Sequence, residues 1–125
     1  MTECRRLSDA GRYPGAPQWS RLERTGDSAV LNLSVAADSP WLAGHFPERP
    51  VLPGVVQLRW AVQAAGELWP GLQRVQSVSN LKFQNPVLPP ASLRLQLDHL
   101  PERRTVRFRF ESGDHVVSRG SVRFA

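Results

Sequence analysis

The sequence predicts an α+β domain in which an antiparallel sheet wraps around one long central helix. Two observations carry that expectation. The stretch Val55–Trp69 is apolar around most of a helical circumference and runs unbroken to Pro70-Gly71. The chain beyond it alternates apolar and polar residues in steps of two, with turn signals between the runs.

The elements follow in order. A strand begins near Pro17 and ends at the turn Thr25-Gly26-Asp27. Ala29, Leu31, Leu33 and Val35 then alternate with Val30, Asn32 and Ser34, the pattern of a strand with one buried face. Asp38 to Gly54 holds Pro40, Pro47, Pro50 and Pro53, so an ordered loop is expected there, each proline fixing its own φ and restricting its neighbour. The helix Val55–Trp69 carries Val55, Val56, Leu58, Trp60, Ala61, Val62, Ala64, Ala65, Leu68 and Trp69, and should be buried on several sides. Arg59, Gln63 and Glu67 recur every fourth residue and share one face, which either reaches solvent or lines a cavity.

Past the helix, Leu81 and Phe83 alternate before the turn region Asn85-Pro86 to Pro89-Pro90. Leu93, Leu95 and Leu97 mark one strand, and Val106, Phe108 and Phe110 the next. Ser112-Gly113-Asp114 makes a hairpin turn into a last strand, Val116 to Phe124. Residues 1–16 are polar and rich in Gly, Pro and Arg, a flexible leader to a single domain over 17–125.

Composition narrows the class. The chain has 125 residues, ordinary globular composition and a net charge of +5, with Lys82 the sole lysine. A basic surface favours acidic partners, although a solvated arginine face explains it equally well. Nucleic-acid binding would rest on charge alone, for no aromatic-basic motif accompanies it. Cys4 is the single cysteine, which rules out an internal disulfide or a cysteine-based metal cluster. No stretch is long enough to span a bilayer and no signal-peptide run is present, so the cytoplasm is the expected location.

The chemistry concentrates in Gly44-His45-Phe46-Pro47-Glu48-Arg49-Pro50-Val51-Leu52-Pro53-Gly54-Val55. A histidine sits in a proline-stiffened loop just before a helix start, whose free N–H groups attract developing negative charge. A base beside such a helix end is what proton abstraction next to a carbonyl requires.

This string resembles the active-site motif of the 3-hydroxyacyl-[acyl-carrier-protein] dehydratases, which have the hot-dog fold. Ser39-Pro40-Trp41-Leu42-Ala43 before it resembles the family's approach to its histidine, and Leu81-Lys82-Phe83-Gln84-Asn85-Pro86-Val87-Leu88-Pro89 resembles its later strand and turn. The likeness covers roughly residues 17–125. Pro53 to Val62 is similar to the short dehydratase-like proteins of aryl-polyene and related pigment pathways.

The resemblance implies a dimer, or a higher hot-dog assembly, with the active site at the subunit interface. One subunit supplies the histidine and the other an acidic helix residue. It also implies a 3-hydroxyacyl chain on an acyl carrier protein as substrate, and no metal or organic cofactor. His45 takes the place of the catalytic histidine. Gly54 and Val55 take the places whose N–H groups bind the thioester carbonyl, and Gln63 that of a positioning glutamine. The acid is expected fourteen positions after the histidine, where this chain has Arg59. Pro90-Ala91-Ser92 and Glu48 are further departures.

Dehydration takes a proton from the carbon beside the thioester and expels hydroxide from the next carbon. Neutral His45 serves as base, and the amides at Gly54 and Val55 receive the enolate charge, one such donor being worth about 3 kcal/mol. A buried carboxylic acid could protonate the hydroxide, but a guanidinium stays charged and cannot. Three outcomes remain open. The proton comes from another group: a water held by Arg59 and Gln63, His45 itself, Glu48 or Glu67. A different hot-dog subunit contributes the acid in a mixed dimer. Or the site binds acyl thioesters without turning them over. Thioesterase activity on the same fold ranks lower, and Arg59 could also be an interface ion-pair residue.

Blander readings cover the rest. His99 and His115 are expected to be structural or exposed, Trp41, Trp60 and Trp69 to lie in core or interface, and Cys4 to be inert. Arg94, Arg107, Arg109 and Arg123 point outward from their strands, toward solvent or an acidic carrier.

Overall fold

The computed structural model describes residues 17–36 and 51–125. The leader expected over 1–16 and most of the proline loop, His45 included, lie outside the described residues.

Strands β1 (Gln18–Thr25) and β2 (Ser28–Val35) form a hairpin closed by Gly26, whose φ of +59° favours a residue without a side chain. The alternation in β2 faces inward as expected: Ala29, Leu31, Leu33 and Val35 are all buried. Helix α1 (Gly54–Leu68) follows, shifted one residue from the expected span. It stops because Pro70 cannot continue it; Trp69 caps its end and donates its N–H to Ala65 O at 2.9 Å. Then come β3 (Val75–Phe83), β4 (Ala91–Leu100), β5 (Thr105–Ser112) and β6 (His115–Phe124). A 3-10 turn over Pro101–Arg103 joins β4 to β5, closed by Arg104 at φ +48°.

The six strands make one antiparallel sheet in the order β1-β2-β4-β5-β6-β3. Leu93, Leu95 and Leu97 of β4, Val106, Phe108 and Phe110 of β5, and Val122 and Phe124 of β6 point to one side and are buried. Trp60, Ala61, Ala64, Ala65 and Leu68 of α1 meet them in a single core. Each large apolar side chain taken fully from water contributes about 2 kcal/mol, which holds the helix against the sheet.

Two positions in α1 depart from the apolar pattern. Val55 is 71% exposed, whereas Gln57 is buried with 3% exposure. The strand at Leu81 and Phe83 is present, but β3 is exposed at every residue, because it lies at the sheet edge and pairs only with β6. Its ladder is interrupted between Ser79 and Lys82, where Asn80 has φ +54°. Val75, Val78, Leu81 and Phe83 on it are exposed apolar residues.

The sheet's other face is basic. Arg94, Arg107, Arg109, Arg119 and Arg123 are exposed, and a concavity of about 790 Å³ there is lined in part by Arg103, Arg107, Arg109, Arg119 and Arg123. The register sets Lys82 opposite Arg119 and Arg119 opposite Arg109.

Candidate active site

The start of α1 is built to leave donors free. Pro53, with ψ 143°, precedes the helix and offers no side-chain cap, and the first turn has no acidic residue. The N–H groups of Val56 and Gln57 both bond Pro53 O, at 3.1 and 3.3 Å. Those of Gly54 and Val55 find no acceptor among the described residues. Two adjacent amides and the positive end of the helix dipole therefore converge on one spot.

That spot borders a concavity of about 430 Å³. Val51, Leu52, Gly54 and Val55 form one wall and Phe83, Asn85 and Pro86 the other. The ring of Phe83 lies directly over Gly54. The turn after Phe83 is anchored to β6: the N–H groups of Gln84 and Asn85 both bond Val117 O (2.8 and 3.2 Å), and Asn85 Nδ2 donates to Val116 O at 2.6 Å. Leu52 N–H bonds Val87 O at 2.9 Å, which fixes the segment before the helix to that turn.

The structure brings Gly54 and Val55 together at this concavity. Arg59 is exposed one turn further along the face that carries Val55, which resolves the polar stripe as solvent-reaching at this point. Gln63 lies about 12 Å along the axis from Val55, beside Glu67 in a different concavity bounded by Gly66 and Leu72. His45 belongs to the undescribed loop. The other histidines stand apart. His99 lies against Trp69, the ring centroids 4.9 Å apart and the planes tilted by 42°, and its Nδ1 meets Asp27 Oδ1 at 3.2 Å, beside the opposite end of α1, while His115 is exposed at the start of β6. Trp60 and Trp69 are core residues as expected. Among the described residues no cluster of three or more His, Cys, Asp or Glu could hold a metal ion, and no helix is long and apolar enough to cross a membrane.

Sequence reasoning missed Gln57 and Ser118, and it placed Phe83 on a strand without bringing it to the helix start. Gln57 lies two residues from Arg59, hence about 200° around the helix, opposite the polar stripe. A polar residue on the apolar side was the signal for a buried hydrogen-bonded group.

A six-stranded antiparallel sheet packed on one helix, with the helix start opening on a cleft, defines a hot-dog fold protein. The ApeI-like family model, described as ApeI dehydratase, matches residues 21–121, and the chain belongs to that family. The 3-hydroxyacyl-[acyl-carrier-protein] dehydratase FabZ of Tolumonas auensis is 40% identical over 93 residues, covering 67% of this chain and 60% of the relative. The chain thus spans less than two thirds of that relative's length. Among solved structures, the dehydratase heterocomplex ApeI:P from Xenorhabdus doucetiae superimposes with a TM-score of 0.81 at 30% identity, covering 87% of this chain and 97% of that one. An uncharacterized protein from Erwinia carotovora subsp. atroseptica gives 0.75, also at 30% identity, with 87% and 95% covered.

Proposed function

We propose that this chain is a subunit of a 3-hydroxyacyl-thioester dehydratase of fatty-acid-like or polyene synthesis, acting on chains carried by an acyl carrier protein. The observation that carries this reading is that Gly54 and Val55, whose amides find no acceptor among the described residues, line an apolar cleft at the start of α1. Membership of the dehydratase family and the FabZ relatives support it.

In this reading the thioester carbonyl rests against Gly54 and Val55. Neutral His45 takes the proton from the adjacent carbon, and the charge that builds on the carbonyl oxygen is met by the two amides. The C–O bond to the neighbouring carbon then breaks, leaving a trans-2-enoyl thioester. The departing hydroxide takes a proton from the imidazolium and leaves as water. Arg59 supplies charge and hydrogen bonds there, Gln63 positions the chain further along the helix, and neither transfers the proton. The domain spans 17–125 behind a leader, works in the cytoplasm and needs no cofactor. Its exposed β3 edge joins another hot-dog subunit, and its arginine face suits an acidic carrier.

A second reading has a specific observation in its favour. Arg59 is exposed on the helix face that carries Val55, at the place where the family's acid is expected. Here the chain is the partner of a related subunit that contributes the carboxylic acid across the interface. The ApeI:P neighbour is, by its name, a dehydratase heterocomplex.

The test is interconversion of 3-hydroxyacyl and trans-2-enoyl thioesters by the purified protein, alone and with a related hot-dog subunit. Turnover that His45→Ala abolishes is the expected result. No turnover in either setting overturns the dehydratase reading, and release of free thiol instead would establish a thioesterase.

A further inference from the structure

Gln57 is the one polar residue buried in α1, and the partners of its carboxamide lie on two other segments. Its Oε1 accepts a 2.7 Å hydrogen bond from Ser118 Oγ, itself fully buried on β6, sixty-one residues away. Its Nε2 donates to Leu52 O at 3.4 Å, two residues before the helix. The side chain therefore reaches backward over the turn Leu52-Pro53 that aims the Gly54 and Val55 amides.

The strand beneath is shaped for the same contact. The β5–β6 register skips Val117: Phe110 pairs with Ser118 and Glu111 with Val116. Val117 is an extra residue, a bulge of the kind that re-aims side chains. Its carbonyl takes the N–H groups of Gln84 and Asn85, so the far wall of the cleft hangs on the bulge. Ser118, the next residue, holds Gln57. One local distortion of β6 thus mounts both walls of the cleft.

Packing alone does not explain the choice of residue. A leucine fills nearly the volume of a glutamine and avoids the cost of burying a carboxamide, and Ser118 would likewise be better as alanine in an apolar core. A buried polar pair kept in both partners fixes one geometry rather than adding stability.

We infer that Gln57, held by Ser118, is a positioning residue that sets the angle of the Gly54 and Val55 amides to the bound thioester oxygen. This rests on the dehydratase reading for its kinetic consequence, but not for its structural one. A misdirected donor acts on the transition state more than on the bound substrate, so the loss falls on kcat.

Three variants of the full chain test this, with its partner subunit where turnover needs one. Ser118→Ala removes a single oxygen and keeps the fold. It is expected to lower kcat on the order of tenfold at unchanged KM, and to move the 1H–15N resonances of Gly54 and Val55 more than those of Ala64 and Ala65. Gln57→Leu should do the same. Gln57→Glu supplies the discriminating pH profile. Burial pushes its carboxyl pKa up, and only the protonated acid can donate to Leu52 O. Its kcat relative to wild type should therefore approach unity at low pH and fall as the acid ionises. Wild-type kcat in Ser118→Ala, or unmoved Gly54 and Val55 resonances, would overturn the inference. If the wild-type protein itself shows no turnover, the dehydratase reading fails and the resonance shifts alone decide this one.

Discussion

The ring of Phe83 occupies the space a side chain on Gly54 would need: a Cβ there would fall 2.6 Å from Phe83 Cε1 and Cζ. The first residue of the helix and the last residue of the edge strand are thus matched. Gly54→Ala should push the half-exposed ring aside and lower stability by about 1 kcal/mol. Phe83→Ala should relieve that penalty, so a double-mutant cycle read by denaturant melts is expected to give a coupling of about 0.5–3 kcal/mol. Additive effects would mean that the ring yields without cost.

Arg59 decides between the two readings of the site. If the chain works with a carboxylic acid from a related subunit, Arg59→Glu should give the isolated protein dehydration activity from near zero. If Arg59 orders water and charge in a self-sufficient site, the same change should cost most of the turnover. Initial rates with a trans-2-enoyl thioester separate the outcomes.

Lys82, Arg119 and Arg109 form a cross-strand row of like charge over β3, β6 and β5. Arg109 has Glu111 at 3.6 Å and Gln96 at 2.7 Å, but no carboxylate among the described residues pairs with Lys82 or Arg119. Like charges directly opposite destabilise a sheet by about 0.2–1 kcal/mol per pair. Arg119→Glu should therefore raise the Tm, by an amount that shrinks at high salt. The same change should weaken turnover of carrier-linked substrate more than that of a short thioester, if this face receives the acidic carrier.

Val78, 37% exposed on β3, tests the subunit contact. Val78→Arg should shift the sedimentation coefficient toward that of the single chain and reduce turnover in parallel. An unchanged assembly would place the interface elsewhere.

Much of the fold is legible because apolar periodicity is local. The alternation of β2, β4 and β5 and the unbroken apolar run before Pro70 each declare their element within a few residues. What escapes is set by distance in the chain. Gln57 is buried because Ser118 waits sixty-one residues later, and no local pattern announces that pair. Val55 is exposed because nothing among the described residues covers its side chain, although its residue type suggests the core. The 3-10 turn over Pro101–Arg103 depends on Arg104, whose guanidinium holds Gly71 O and Ala125 O from remote segments. At the site, the glycine and proline positions around the helix start were readable from the motif, whereas the bulge at Val117 that supports them was not.

Lys82 is exposed on the edge strand, and no other lysine occurs in the sequence. Apart from the α-amino group, an amine-reactive fluorophore has one place to attach. Its emission would report directly whether that border is bare or occupied, so the protein carries a ready-made labelling handle at the place where its companions are expected to sit.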